Sequence, residues 1–182
     1  MEYIAIPARS PMFDPDWQTT GHLARAAELL REWAQAQPIA GMSVEVISPS
    51  GLSPVLLIEI ASTRPELSDR TVLLYGHMDK QPEMEPWSAG LGPWLPVLRG
   101  DRLYGRGGAD DGYSVFAALI AIASIQATGG AHARLVLLIE ASEESSSVHL
   151  SQHLEKLLPR IGAADLVRVL SLIHISEPTR PY

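Results

Sequence analysis

Apolar positions along the chain follow two different periods. Between Asp14 and Gln37 the residues Leu23, Ala26, Ala27, Leu30, Trp33 and Ala34 recur at three- and four-residue steps, the spacing of one buried helix face. Asp14 is placed to cap this helix, with Pro15 at its first position and Pro38 ending it. Ser43 to Ile47 and Pro54 to Ala61 read as strands separated by the turn-forming Ser48-Pro49-Ser50-Gly51. Thr71 to Tyr75 and Leu135 to Ile139 are short, nearly all-apolar runs, the pattern of strands covered on both faces. Pro82 to Pro96 reads as an ordered loop, and Val97 to Tyr104 as a hairpin turning at Gly100-Asp101. A second helix carries Val115, Ala118, Leu119, Ile122 and Ile125 on one face and stops at Gly129-Gly130. A third helix is expected over Val148 to Leu158 and a last strand over Leu166 to Leu170. Buried strands alternating with helices predict an α/β fold with a mixed, largely parallel sheet flanked by helices.

Composition narrows the class. With 182 residues, 46% of them hydrophobic, the chain suits one globular domain or part of a larger one, and is too apolar for disorder. Its longest apolar stretch, Val115 to Ala123, is far too short to span a bilayer, so no membrane partner is expected. The formal charge is −7 and the only lysines are Lys80 and Lys156, which argues against nucleic acid as a partner. Cysteine is absent, so any metal must sit on His, Asp and Glu. The N-terminus lacks a basic flank followed by an apolar core, and a cytoplasmic location is the expectation.

Polar chemistry collects in three places: His77 to Asp79, Asp110-Asp111 and Glu143-Glu144. Two of these follow buried strands directly and the third opens a helix. In open α/β sheets the crevice beyond the carboxyl ends of the strands is where ligands sit, so the clusters can converge there. Taken singly, His77 reads as a hydrogen-bonded core histidine, Asp110-Asp111 as a helix cap and Glu143-Glu144 as a solvated helix entry. Together they read differently. His77 and Asp79, two apart in an extended segment, point the same way, so the carboxylate can accept from the second imidazole nitrogen. Neighbouring carboxylates after a buried strand repel one another unless a cation is present, and an oxygen-rich set with one imidazole suits zinc, manganese or a similar divalent ion.

The segments YGHMDKQP, LYGRGGADDG and LLIEASEES, in that order and spacing, closely resemble the di-zinc metallopeptidases that include carnosine dipeptidase, aminoacylase, carboxypeptidase G and succinyl-diaminopimelate desuccinylase. The resemblance covers about residues 1 to 169, and Lys80-Gln81-Pro82 with Trp87 looks more like the dipeptidase branch. It implies the N-terminal part of a zinc-exopeptidase-like catalytic domain that hydrolyses dipeptides or other small peptides. Two Zn2+, or Mn2+ or Co2+ in their place, would be the cofactors, and the full-length protein would be a candidate homodimer. Carried over residue by residue, His77 would ligate one zinc, Asp110 would bridge both and Glu144 would ligate the second. Glu143 would be the general base, Asp79 the partner that orients His77, and the Asp110–Asp111 peptide would be cis. Two readings stay open beside this one: an amidohydrolase of the same fold acting on N-acyl amino acids, and a non-catalytic protein that keeps the fold.

The family pattern also asks for an acidic ligand some 25 to 30 positions after the glutamate pair and for a later histidine. Val169 to Ile173 holds no carboxylate, Asp165 is too early and Glu177 too late. The ending LSLIHISEPTRPY, residues 170 to 182, resembles the conceptual translation of a transposase adapter used in preparing sequencing libraries; the other reading is a genuine strand followed by a Pro-rich tail. On the adapter reading His174 has no meaning as a ligand, the domain is an incomplete fragment, and the chain is expected to be inactive with an exposed sheet edge. Among lesser signals, His149 and His153 lie four apart on a helix and, like His22 and His132, read as surface residues. Arg106, between the glycines of GRGG, is open to orienting its loop or to pairing with Asp111.

Overall fold

The computed structural model describes residues 1–170. A five-stranded sheet has the order β1-β2-β6-β3-β7, built from β1 (Met42–Ile47), β2 (Val55–Ile60), β3 (Thr71–His77), β6 (Arg134–Glu140) and β7 (Leu166–Val169). A separate hairpin pairs β4 (Val97–Arg99) with β5 (Arg102–Tyr104). The helices are α1 (Glu2–Ala5), α2 (Trp17–Thr20), α3 (His22–Gln35), α4 (Tyr113–Ala127) and α5 (Leu150–Ile161). β1 to β2 and β2 to β6 are antiparallel, while β6 to β3 and β3 to β7 are parallel, so the sheet is mixed.

Strand alternation sorts the core into two layers. Leu56, Ile58, Ile60, Leu135, Leu137 and Ile139 face Leu23, Ala27 and Leu30 of α3 and Val115, Leu119 and Ile122 of α4. Val55, Leu57, Val136 and Leu138 face Leu157 and Ile161 of α5 on the other side. Both faces of β2 and β6 are therefore covered, which is why their sequences are almost uninterruptedly apolar. β7 lies at the sheet edge, with Leu166, Val167 and Val169 all exposed among the described residues.

Several details differ from the sequence expectation. The first helix is split: Gly21 adopts a left-handed conformation (φ 69°) that ends α2 before α3 begins. Asp14 does not cap it by a side-chain bond to the first turn; it is buried, accepts from the Thr20 hydroxyl (3.0 Å) and lies 4.0 Å from Arg9. Ile125 is turned partly to solvent, because α4 is apolar nearly all round and its sequence leaves the buried face ambiguous. β3 and β6 each run further than their apolar cores, so that His77 and Glu140 are ladder partners. Among the described residues no helix is long and apolar enough to cross a membrane. The adapter-like ending lies outside the described residues from residue 171 onward, His174 and Glu177 included.

Candidate metal centre

The parallel pairing of β3 with β6 sets their carboxyl ends side by side, and the loop before α4 reaches across both. From these three places the structure brings His77, Asp110 and Glu144 together, one ligand atom of each lying within 4.8 Å of the others. His77 is buried at the end of β3, with Nε2 3.3 Å from Asp110 Oδ1 and 3.7 Å from Glu143 Oε2. Asp110 and Glu143 are partly open to solvent, so the cluster has a protein side and a water side. The Asp110–Asp111 peptide is cis.

Asp79 is fully buried and holds two parts of the cluster at once. Its carboxylate lies 3.5 Å from His77 Nδ1 and accepts the backbone N–H groups of Glu143 (3.1 Å) and Glu144 (3.0 Å). The second imidazole nitrogen also lies 3.2 Å from the Asp79 carbonyl. Asp111 turns away from the cluster; it is buried and accepts the His77 backbone N–H (3.1 Å). Of the two roles open to Arg106, pairing with Asp111 does not occur: the guanidinium lies 5.9 Å from the centre of the Trp87 ring. Asp165 is not near the site, since it accepts the Thr71 N–H (2.8 Å) at the opposite end of β3.

Electrostatics state what the geometry lacks. Burial raises the carboxyls of Glu143 and Glu144 above their ordinary values, with the negative charges of Asp110 and Asp79 adding to it. Burial also pushes Asp111 up to about 7. Burial works against the charged form of His77, but the hydrogen bonds its ring donates to Asp110 and Asp79 overcome it and raise the imidazole to about 11. Glu144 Oε1 is buried without a hydrogen-bond partner. A desolvated surplus of carboxylate, one imidazole and a buried Glu144 oxygen without a partner make a donor set that fits a hard or borderline divalent cation.

Two supporting features escaped the sequence reading. Gln81 donates from its side-chain amide to Glu144, so one carboxylate oxygen is held and the other left free. Glu140, buried at the end of β6, accepts from the hydroxyls of Tyr75, Ser142 (2.8 Å) and Ser147 (2.7 Å), which shapes the turn that presents Glu143 and Glu144. The serine-rich run after Glu144 was the available signal for it. His132 and His153 are buried rather than exposed, and His149 is half-buried: the rings of His149 and His153 bond to Ser53, remote in sequence, while the His132 ring bonds to the Ala133 carbonyl and the Gln126 amide.

A sequence profile of Peptidase family M20/M25/M40 matches residues 73–182. The chain belongs to this family. Members are metal-dependent hydrolases, in keeping with the acidic cluster. A succinyl-diaminopimelate desuccinylase of Verminephrobacter eiseniae is 35% identical over 98 residues, covering 52% of this chain and 24% of the relative. A human Beta-Ala-His dipeptidase is 31% identical over 128 residues, covering 69% of this chain and 25% of the relative. Among solved structures, a family M20 metallo-carboxypeptidase of Sulfolobus solfataricus superposes with a TM-score of 0.75 at 26% identity, covering 93% of this chain and 35% of that one. Human carnosine dipeptidase 1 gives 0.69 at 25% identity over 92% and 36%. The matched regions thus span about a quarter of the curated relatives and about a third of the solved ones.

Proposed function

We propose that this chain carries the metal-binding core of a hydrolase that cleaves the amide bond of small peptides, with two zinc ions as cofactors. The observation that carries the reading is the convergence of His77, Asp110 and Glu144 from three separate loops on one gap. In this reading His77 would hold one ion, Glu144 the other, and Asp110 would serve both. When bound, the ions would lower the proton affinity of a water and polarise the carbonyl under attack. Glu143 stands at the solvent side of the cluster, where its raised carboxyl is suited to take a proton from that water and return it to the leaving amine. Asp79 orients His77 from behind and ties the Glu143–Glu144 backbone to it.

A second substrate class, N-acyl amino acids, is supported by the 35% identity to a desuccinylase. Among the described residues three ligands are few for two ions, so we further propose that the 182-residue chain binds metal but does not turn over substrate. The test is a zinc titration of the chain, followed by turnover on dipeptides and on N-acyl amino acids by a protein of the relatives' length that carries this segment. Zinc binding lost in Asp110→Ala and Glu144→Ala, with turnover of dipeptides in the longer protein, is the expected result. Glu143→Gln should keep zinc and lose activity by about 10²- to 10⁴-fold. Failure of the chain to bind zinc would end the reading.

A further inference from the structure

The N-terminal segment touches all three loops of the metal centre from behind, and the sequence reading gave it no role. Its grip centres on Lys80, one residue past Asp79 and wholly buried. The Lys80 ammonium donates to the carbonyls of Tyr3 (2.7 Å), Ile4 (3.3 Å) and Ile6 (2.7 Å) and sits 4.2 Å from the centre of the Tyr3 ring. Those carbonyls belong to α1 and the residue just past it; those of Tyr3 and Ile6 also accept the N–H groups of Ile6 (3.2 Å) and Ala8 (2.8 Å), so the ammonium is a second donor to each of these two. Burial pulls the ammonium down to about 7.

The backbone repeats the grip. Lys80 N–H donates to the Ala8 carbonyl (3.0 Å) and Ser10 N–H donates to the Lys80 carbonyl (3.0 Å). The Tyr3 hydroxyl donates to the Met78 carbonyl (2.7 Å). Residues on both sides of Asp79 are therefore pinned from the rear, while its carboxylate faces forward onto the Glu143 and Glu144 amides. Further along the segment, Ser10 and Ser145 share a hydroxyl hydrogen bond (2.5 Å) and Met12 N–H donates to Ser145 Oγ (2.9 Å), which fixes the turn next to Glu144. The third loop is held by close approach. A side chain on Gly107 would come within 2.6 Å of Lys80 Cε, and one on Gly112 would collide with the Tyr3 ring, so the loop bearing Asp110 lies directly on the clasp.

We propose that residues Tyr3 to Met12, clasped by Lys80, are a positioning device that sets the spacing of His77, Asp110 and Glu144 before any ion arrives. This rests on the metal-centre reading above. Lys80 and Tyr3 act through Met78, Asp79 and the neighbouring loops and touch no ion themselves. Burying a lone ammonium is costly, and a neutral side chain of similar length would take away the donor that ties these three carbonyls to the residue after Asp79. The cation makes the segment and the site loops one body.

The experiment titrates the 182-residue chain with Co2+ alone, reading affinity and the visible absorption band, on wild type, Lys80→Met, Tyr3→Phe and, as a control of equal burial outside the clasp, His153→Gln. Lys80→Met is expected to weaken Co2+ binding by about 10- to 100-fold and to shift the band, as loss of an outer support does at metal sites. Tyr3→Phe, which removes only the hydroxyl bond to Met78, should weaken binding several-fold less while staying folded. His153→Gln should lower the melting temperature with affinity and band unchanged. Wild-type affinity and band in both clasp variants would overturn the proposal, whatever their heat stability; if Lys80→Met does not fold, Tyr3→Phe decides alone. Absence of Co2+ binding by wild type would instead overturn the metal-centre reading, and this proposal with it.

Discussion

The imidazoles at the metal centre and at the start of α5 differ in the charge of what surrounds them. Around His149 and His153 the hydrogen-bond partners are neutral: His149 Nδ1 accepts from the Ser53 N–H (3.1 Å) and lies 3.0 Å from the Ser53 hydroxyl, while His153 Nε2 donates to the Ser53 carbonyl (2.8 Å) and its Nδ1 is buried without a partner. Around His77 the partners are carboxylates, more numerous than one imidazole can neutralise, and a buried oxygen of Glu144 is left with nothing. The first arrangement is a fastener between α5 and the loop before β2. The second is a set of donors short of an acceptor of their charge. A buried histidine is thus informative about function less by its burial than by the charge balance of what surrounds it.

The sharpest way to break this contrast is to exchange the roles. His77→Ala should reduce Zn2+ or Co2+ affinity by more than about 100-fold, exceeding the effect of losing an outer support, whereas His149→Ala should leave it unchanged. Equal losses in both variants, measured by competition with a chelating dye, would erase the distinction. On stability the order reverses. His153→Ala leaves a buried carbonyl and a void and should cost about 1–3 kcal/mol in denaturant unfolding.

Acidity offers a finer test. Burial lowers both His149 and His153 below the ordinary 6.5, although Glu140 pulls each the other way. On acidification the unfolded chain therefore takes up these protons first, so the stability they carry is complete above pH 6.5 and drains as the pH falls toward their folded values. The drop in melting temperature between about pH 7 and 5.5 should be shallower in His153→Gln than in wild type; parallel curves would show that this imidazole does not carry it. The smallest expected effect belongs to Gln81→Leu, which frees the second oxygen of Glu144 and should weaken metal binding by less than about 10-fold.

How far the sequence could be read follows from the range of the interactions involved. Strands with continuous apolar runs, the hairpin at Gly100-Asp101 and the amphipathic face of α3 are local patterns and were legible within a residue or two. The three acidic clusters were legible because each sits where a recognisable element ends. What stayed hidden is long-range: β6 inserting between β2 and β3, the N-terminal segment closing on Lys80, and Ser53 waiting for histidines a hundred residues on. His153 was misread for this reason, since a polar residue looks like surface until its distant partner is known; the His132 ring is held by the nearby Gln126 amide and Ala133 carbonyl. Gly21 was misread differently: the helical period runs straight through it, and only its backbone angle shows the break.

The in-register meeting of His77 with Glu140 carries one more consequence. Side chains on a strand alternate, so a slip of a single position between β3 and β6 would swing the imidazole to the opposite side and scatter the donors. That ladder joins stretches more than sixty residues apart through a parallel pairing, among the slower contacts for a polypeptide to find. Ion capture should therefore come last in the life of a new chain, and a bound ion would mark molecules that have finished folding.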